Sequence, residues 1–319
     1  MLTQADALRL PLADNSVDLV VTSPPYYALR SYQDGDEHYD GQIGSEASPQ
    51  EFLEALWAAT AEMVRVVKPS GSIFVNLGDK YSRGGVKPDT ALDPMNAGRG
   101  HFPEATGLPA KCLVGIPWRY AIGCIDDLGL ILRSEIVWSK PNGLPESVTD
   151  RVRRSHEQWF HFTLEPRYFS AIDEIREPHD DQARILRAHN HVRPTDEGVP
   201  DQPQRGGNHP LGKLPGSVWS IPSEPLQVPD HLGVEHFAAF PQEWPRRLIL
   251  GWSPPDGVVL DPFVGTGTVP MVARALGRTG IGVDLSADYL RLADWRIHES
   301  GHATKTMRRT NQERQGSLL

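Results

Sequence analysis

The sequence predicts an α/β fold with a mostly parallel, doubly wound sheet, and three observations predict it. Val17-Asp18-Leu19-Val20-Val21 and Ser72-Ile73-Phe74-Val75-Asn76 read as buried strands on either side of a long amphipathic helix. Toward the other end, Val258-Val259-Leu260 and Gly280-Ile281-Gly282-Val283 flank a second helical segment. Strand–helix–strand is the unit of a parallel sheet, because parallel neighbours need a crossover long enough to hold a helix. The third observation is composition: 39% hydrophobic and 23% charged residues in 319 describe an ordinary globular chain. A chain of this size buries roughly 75% of its unfolded surface and needs no covalent staples.

The same numbers exclude several classes. Length suggests about two domains. Two cysteines, Cys112 and Cys124, rule out a disulfide scaffold and a four-cysteine zinc site, and a reducing cytoplasm is the expected compartment. No apolar run reaches 18 residues, so no membrane-spanning helix is expected. Met1-Leu2-Thr3-Gln4-Ala5-Asp6 lacks the basic and apolar segments of a secretory signal. The balance of 32 Lys+Arg against 41 Asp+Glu, net −9, argues against a nucleic-acid packaging protein. It leaves room for an enzyme with one local basic patch.

Taken in chain order, the strand at 17–21 ends in Thr22-Ser23-Pro24-Pro25-Tyr26-Tyr27, since two prolines cannot continue a ladder. A polar, acid- and Gly-rich stretch runs from 28 to 47. Ser48-Pro49-Gln50-Glu51 then opens a helix, with Ser48 as N-cap and Glu51 as the capping-box acid. Phe52, Leu53, Leu56, Trp57, Thr60, Met63, Val64 and Val67 form its core-facing stripe, and Lys68-Pro69-Ser70-Gly71 ends it. The strand at 72–76 follows. Residues 78–109 read as a long loop, 116–128 as a helix, and 131–138 and 159–163 as strands. Between Asp173 and Glu235, Pro, Gly, His and Gln become dense and periodicity fades. Order returns with a helix at 244–252, the strand at 258–260, a helix at 268–276 and the strand at 280–283; the tail from Gly301 is polar.

Asp261-Pro262-Phe263-Val264-Gly265-Thr266-Gly267-Thr268 joins a strand to a helix. Gly265 and Gly267 allow a tight turn and close approach to a ligand, and the helix start behind them offers unpaired N–H groups. Asp284 ends the next strand, 17 residues after Gly267, where nucleotide-binding α/β folds place an acid on ribose hydroxyls. Pro270 breaks the G-x-G-x-x-G pattern, and Asp261 would repel a pyrophosphate. A cationic amino-acid portion suits it better, which points to S-adenosylmethionine rather than NAD.

Ser23-Pro24-Pro25-Tyr26 puts a hydroxyl, a stiff backbone and an aromatic ring at the C-terminal end of a strand, the edge where open α/β sheets bind ligands. Carbonyls held by the prolines can accept from an amino group, and the ring can stack on a planar base. The chain carries its own control: Ser253-Pro254-Pro255 is followed by Asp256-Gly257, precedes a strand, and reads as a plain turn.

Residues 22–27 together with 261–268 resemble the amino-methyltransferases that modify exocyclic nitrogens of DNA bases. Further stretches are similar to the N4-cytosine members of the β-type arrangement, in which the catalytic motif precedes the cofactor motif. These are Asn76-Leu77-Gly78-Asp79, Trp138-Ser139-Lys140-Pro141-Asn142, Pro145-Glu146-Ser147, Asp150-Arg151, Ser155-His156-Glu157, Pro215-Gly216-Ser217-Val218-Trp219 and His236-Phe237-Ala238-Ala239-Phe240-Pro241. The matches run from Asp6 to Arg296, nearly the whole chain. One departure is Thr266, where many relatives carry Ser; the hydroxyl is kept.

The resemblance implies a seven-stranded methyltransferase sheet with permuted motif order, the chain starting near the sheet's third strand. It implies a catalytic half at 1–172, a target-recognition region at 173–235, a cofactor half at 236–300 and a polar tail at 301–319. Asp6 then matches the acid that meets the cofactor's adenine. Phe263, Gly265, Thr266 and Gly267 line its methionine and ribose side, Asp284 its ribose, and Phe240 and Pro241 pack nearby. The implied reaction moves a methyl group from S-adenosylmethionine to the N4 amine of a flipped cytosine in double-stranded DNA, leaving S-adenosylhomocysteine and using no metal. Ser23, Pro24, Pro25 and Tyr26 carry it by direct attack. A C5-cytosine mechanism needs a cysteine nucleophile, typically after proline; Cys112 follows Lys111 and Cys124 follows Gly123.

For DNA contact the resemblance and the local charge single out Lys140, Arg151, Arg153 and Arg154, with Arg30 and Tyr32 past the catalytic turn. Arg184, Arg187, Arg193, Gln202, Gln204 and Arg205 have donors suited to reading base edges. His189, His191 and His209 lack the partner set of a metal site. N6-adenine is the alternative target, since Ser before Pro-Pro goes mostly with cytosine in the family and Asp or Asn mostly with adenine. A protein-glutamine methyltransferase would carry Asn-Pro-Pro-Tyr after its cofactor motif, and a non-catalytic DNA-binding regulator would not need the intact motifs. The resemblance places the protein in the cytoplasm, encoded by a prokaryote or phage. It leaves open a homodimer and a cognate restriction endonuclease as partners.

Overall fold

The computed structural model describes residues 1–27, 33–34, 37–38, 42–83, 106–143, 145–179, 209–226, 228, 232 and 240–298. In chain order the elements are β1 (Leu2–Gln4), β2 (Val17–Thr22), β3 (Gln33–Asp34), β4 (Glu37–His38), α1 (Pro49–Val66), β5 (Val67–Leu77), α2 (Ile116–Asp126), β6 (Ile131–Ser139) and β7 (His156–Thr163). A 3-10 turn (Ile172–Ile175), β8 (Val218–Ser220), α3 (Glu243–Trp252), β9 (Val258–Asp261), α4 (Thr268–Ala275), β10 (Thr279–Asp284) and α5 (Ala287–His298) follow.

Among the described residues the main sheet has eight strands in the order β1-β10-β9-β2-β5-β7-β6-β8. Only β7 runs against its neighbours; every other pairing is parallel. β3 and β4 form a separate antiparallel pair. The resemblance implied seven strands. The eighth, β8, lies inside the 173–235 span and pairs its three residues with Val137–Ser139 of β6. Its Trp219 is 4% exposed and stacks on Trp244, so one buried indole anchors the edge.

Alternation of side chains gives the sheet two covered faces. Val20, Ile73, Val75, Phe160, Phe162 and Leu260 belong to the core cluster under α1 and α2. Leu19, Val21, Phe74, Trp159 and Val259 belong to the cluster under α3 and α4. Helices on both faces of a mostly parallel sheet make it doubly wound.

The expected caps hold at α1: Glu51 N–H donates to Ser48 Oγ and Ser48 N–H donates to Glu51 Oε2, each at 3.2 Å. Three features differ from the sequence-based expectation. β5 starts at Val67, not Ser72, because Lys68-Pro69-Ser70-Gly71 forms a bulge rather than a helix stop. Val17 pairs with Val67 and Leu19 already with Ser72, so the intervening residues loop out of register. β1 is too short to show a period; it is recruited by β10, with Leu2 opposite Gly282 and the Met1 ammonium donating to the Gly280 carbonyl at 2.7 Å. α5 is the third, a helix that the sequence pattern alone does not announce. Ser253-Pro254-Pro255 is the expected turn before β9.

Candidate active site

β2 and β9 are neighbours whose connections diverge. β2 continues through α1 to β5 on one flank, and β9 through α4 to β10 on the other. That divergence is a topological switch point, where an open sheet leaves a crevice beyond its strand ends. Both sequence motifs sit there. Thr22, the last residue of β2, donates its hydroxyl to Oδ1 of Asp261, the last residue of β9, at 2.7 Å.

A cavity of about 1050 Å³ opens over this seam. Ser23, Pro24, Pro25 and Tyr26 line it, and so do Asp6, Phe240, Phe263, Gly265, Thr266 and Asp284. The structure thus gathers the expected catalytic turn and most of the expected cofactor residues into one cleft. Three expected cofactor residues are not among the lining. Pro241 is buried just ahead of α3. Gly267 caps α4 at φ 75°, and a Cβ there would lie 2.8 Å from Ala293 Cβ, so the turn needs a glycine against α5.

Asp261 is the third. The sequence pattern sets its carboxylate against a cationic group of the ligand; the structure buries it to 2% exposure beneath the cleft. Burial raises its pKa to about 7, although the Thr22 hydroxyl and the Phe263 N–H (3.1 Å) both donate to it and act the other way. Its position makes it a joint between the two turns.

Asn76, on β5, organises the catalytic turn. Its Nδ2 donates to the Gln158 carbonyl at 3.1 Å, which turns Oδ1 toward the cleft. There Oδ1 accepts from Ser23 Oγ at 3.3 Å and from Tyr26 Oη at 2.9 Å. With its proton directed at Asn76, Ser23 Oγ is left as an acceptor. The Tyr26 hydroxyl also lies 2.8 Å from Glu157 Oε2, and the other Glu157 oxygen is ion-paired with Lys140. Gly78 packs on the Tyr26 ring so closely that a Cβ would fall 2.7 Å from Cε2. The ring is held by its hydroxyl and by the close contact with Gly78.

The cofactor side fits an adenosine–amino-acid conjugate on the chemistry of its donor set. Asp284 accepts from Gly265 N–H at 2.9 Å and from Ser286 N–H at 3.0 Å. Asp284 lines the cleft, and an acceptor-only carboxylate held by two backbone N–H groups is the kind of group that suits a vicinal diol. Phe240 is fixed edge-on to Trp159 at 5.6 Å and 90° and offers an apolar surface for a planar base.

The basic cluster is built differently from a row of solvated cations. Lys140 and Arg154 line the cleft. Lys140 pairs with Glu157 and sits 4.1 Å over the Trp138 ring. Arg154 donates to the Asp79 carbonyl. Arg151 pairs with Glu146 at 2.8 Å and covers the Tyr81 ring at 3.8 Å. Arg153 donates to the Gly143 carbonyl at 3.1 Å. Arg30, Tyr32, His189, His191 and the six candidate readout residues between 184 and 205 lie outside the described residues.

Among the described residues no cysteine lines the cleft, and no group of three His, Cys, Asp or Glu side chains is placed to hold a metal ion. Cys124 is buried, which pushes its thiol up to about 12. No helix among the described residues is long and apolar enough to cross a membrane. Asn76 and Glu157 fall within the resembling stretches, but the sequence assigns them no role. Their partners come from other strands, which spacing does not reveal.

Comparison with known proteins agrees with this geometry. A family model described as DNA methylase, of the N6/N4 type, matches residues 17–294. The chain is 38% identical over 302 residues to the type II methyltransferase M.XycI of Xanthomonas campestris pv. cyanopsidis, covering 93% of this chain and 87% of that one. It is 36% identical over 283 residues to M.SmaI of Serratia marcescens, covering 88% and 84%. Its fold resembles PvuII DNA methyltransferase (cytosine-N4-specific), with TM-score 0.63, 19% identity and coverage of 98% and 91%. It also resembles TTHA0409 of Thermus thermophilus complexed with S-adenosyl-L-methionine, with TM-score 0.55, 23% identity and coverage of 93% and 92%.

Proposed function

The chain belongs to the N6/N4 DNA methylase family, and on that premise we propose that it methylates the exocyclic N4 amine of cytosine in double-stranded DNA, using S-adenosylmethionine. One observation carries the reading: a single cleft is lined by both the Ser23–Tyr26 turn and the Asp6, Phe263, Gly265, Thr266 and Asp284 set. Serine before Pro-Pro, and the fold shared with a cytosine-N4-specific enzyme, support cytosine over adenine.

Asp284 would hold the ribose, Phe240 and Phe263 the apolar faces, and Thr266 the amino-acid end. When bound, S-adenosylmethionine supplies an electrophilic methyl group, and S-adenosylhomocysteine is the product. The target amine lies inside a base pair, so the base is flipped into the cleft, where the ring of Tyr26 receives it by stacking. Ser23 Oγ accepts one amine N–H because its own proton is spent on Asn76; the Pro24 carbonyl accepts the other. Both bonds draw the nitrogen lone pair out of ring conjugation and aim it. Direct attack needs only positioning and no enzyme nucleophile: the N–C bond would form as the methyl–sulfonium bond breaks, the bond pair would stay on sulfur as the product thioether, and the extra amine proton would pass to solvent.

Phosphates near the flipped base would meet Arg151, Arg153 and Arg154, with Arg30 beyond the turn. Lys140, which pairs with Glu157 on the cleft lining, would join them. The type II relatives support a cognate restriction endonuclease as partner and a prokaryotic cytoplasm as the place of work. Nucleoside mass spectrometry of treated DNA tests the reaction. N4-methylcytosine is expected; N6-methyladenine would transfer the reading to adenine, and neither product would overturn it.

A further inference from the structure

We propose that Arg296 is a positioning residue for the carboxylate of bound S-adenosylmethionine, acting through the hydroxyls of Thr266 and Thr268. It rests on the cofactor occupying the cleft and is independent of which base is methylated.

Arg296 lies on α5, is 3% exposed, and points under the glycine turn. Its Nη1 donates to Thr266 Oγ1 at 2.7 Å and to Thr268 Oγ1 at 2.6 Å. A guanidinium has donors only. Each hydroxyl that receives from it spends a lone pair and must send its own proton elsewhere. The two hydroxyls are 3.4 Å apart, so one proton at most can serve the other. At least one is left to point away, and both threonines line the cleft. The result is an O–H donor aimed at the cavity, backed by a buried cation.

That combination selects an anion. The cofactor carries one anionic group, its carboxylate. Asp6 and Asp284, on the same lining, repel it, and the lining cations beside the Tyr26 turn already have partners: Lys140 pairs with Glu157, Arg154 donates to the Asp79 carbonyl, and Lys80 sits over the Tyr27 ring. Burial lowers Arg296 to about 10, which leaves it cationic at neutral pH. The structure thus separates the ends of the ligand: acids toward ribose and base, a threonine pair over an arginine toward the carboxylate.

The test is calorimetric titration of the full chain with two ligands. S-adenosylhomocysteine keeps the carboxylate; 5′-methylthioadenosine lacks the whole amino-acid end. Arg296→Gln is expected to weaken the first about tenfold or more and the second less than about twofold. Thr266→Val with Thr268→Val should show the same split, and Thr266→Ser with Thr268→Ser should restore binding. The valine pair decides the matter if Arg296→Gln does not fold. Equal losses for both ligands would mean a merely structural role and overturn the proposal. So would unchanged S-adenosylhomocysteine affinity in a folded variant.

Discussion

The hydroxyl of Thr22 stands 2.7 Å from Oδ1 of Asp261 and ties the ends of two neighbouring strands together. Thr22→Val removes that donor and leaves a buried carboxylate short of a partner. It should cost about 1–3 kcal/mol of stability, read as a lower urea midpoint with an unchanged slope. Methyl transfer should fall further than stability does, because the two turns lose their shared joint.

Asp261 also sets a pH dependence. Its folded pKa is raised to about 7 from 3.8, so the folded state holds a proton the unfolded chain releases. The associated stability is fully present below 3.8 and is lost as pH rises through about 7. Between those two values Asp261→Asn should show a smaller decline than the parent, measured by denaturation at several pH values. Parallel curves would contradict this.

His161 acts in the opposite direction. It stacks on Phe74 at 4.1 Å, and burial lowers its pKa to about 3 from 6.5. Its contribution is present above 6.5 and lost as pH falls toward 3. His161→Phe should therefore lose less stability on acidification than the parent, measured as the change in unfolding midpoint between neutral and acid buffer.

Tyr26 separates two roles by substitution. Tyr26→Phe keeps the ring on Gly78 and removes the hydroxyl that lies within hydrogen-bond reach of both Asn76 and Glu157. Tyr26→Ala loses the ring as well. Stacking is worth roughly 1–3 kcal/mol per base, so Tyr26→Ala should lower kcat/KM about tenfold or more beyond Tyr26→Phe. Equal defects would remove base stacking from the mechanism.

Gly267→Ala forces a side chain into φ 75° and against Ala293. A loss of at least about 1–2 kcal/mol is expected, seen as a lower Tm. Weaker S-adenosylhomocysteine binding in calorimetry should accompany it.

What the sequence reveals and what it hides divide along a physical line. The capping box at Ser48 and the glycine turn are local patterns, and a sequence displays local patterns directly. β1 is invisible there because three residues carry no period and the strand exists only through its pairing with β10. The β5 bulge resembles a helix end because Pro69 and Gly71 signal a break in either setting. In the site, Ser23 and Tyr26 are evident, while Asn76 and Glu157 depend on strands 50 and 131 positions away from Tyr26. Arg296 is hidden by the same cause. Asp261 is legible as a residue beside the turn, but its burial is decided by neighbours from distant parts of the chain.

The pairing of β2 with β9 has a consequence for biosynthesis. Partners separated by 239 positions meet only after nearly the whole polypeptide has left the ribosome. A nascent or prematurely terminated product carries one lip of the cleft without the other. Such a fragment is expected to transfer no methyl group to the chromosome.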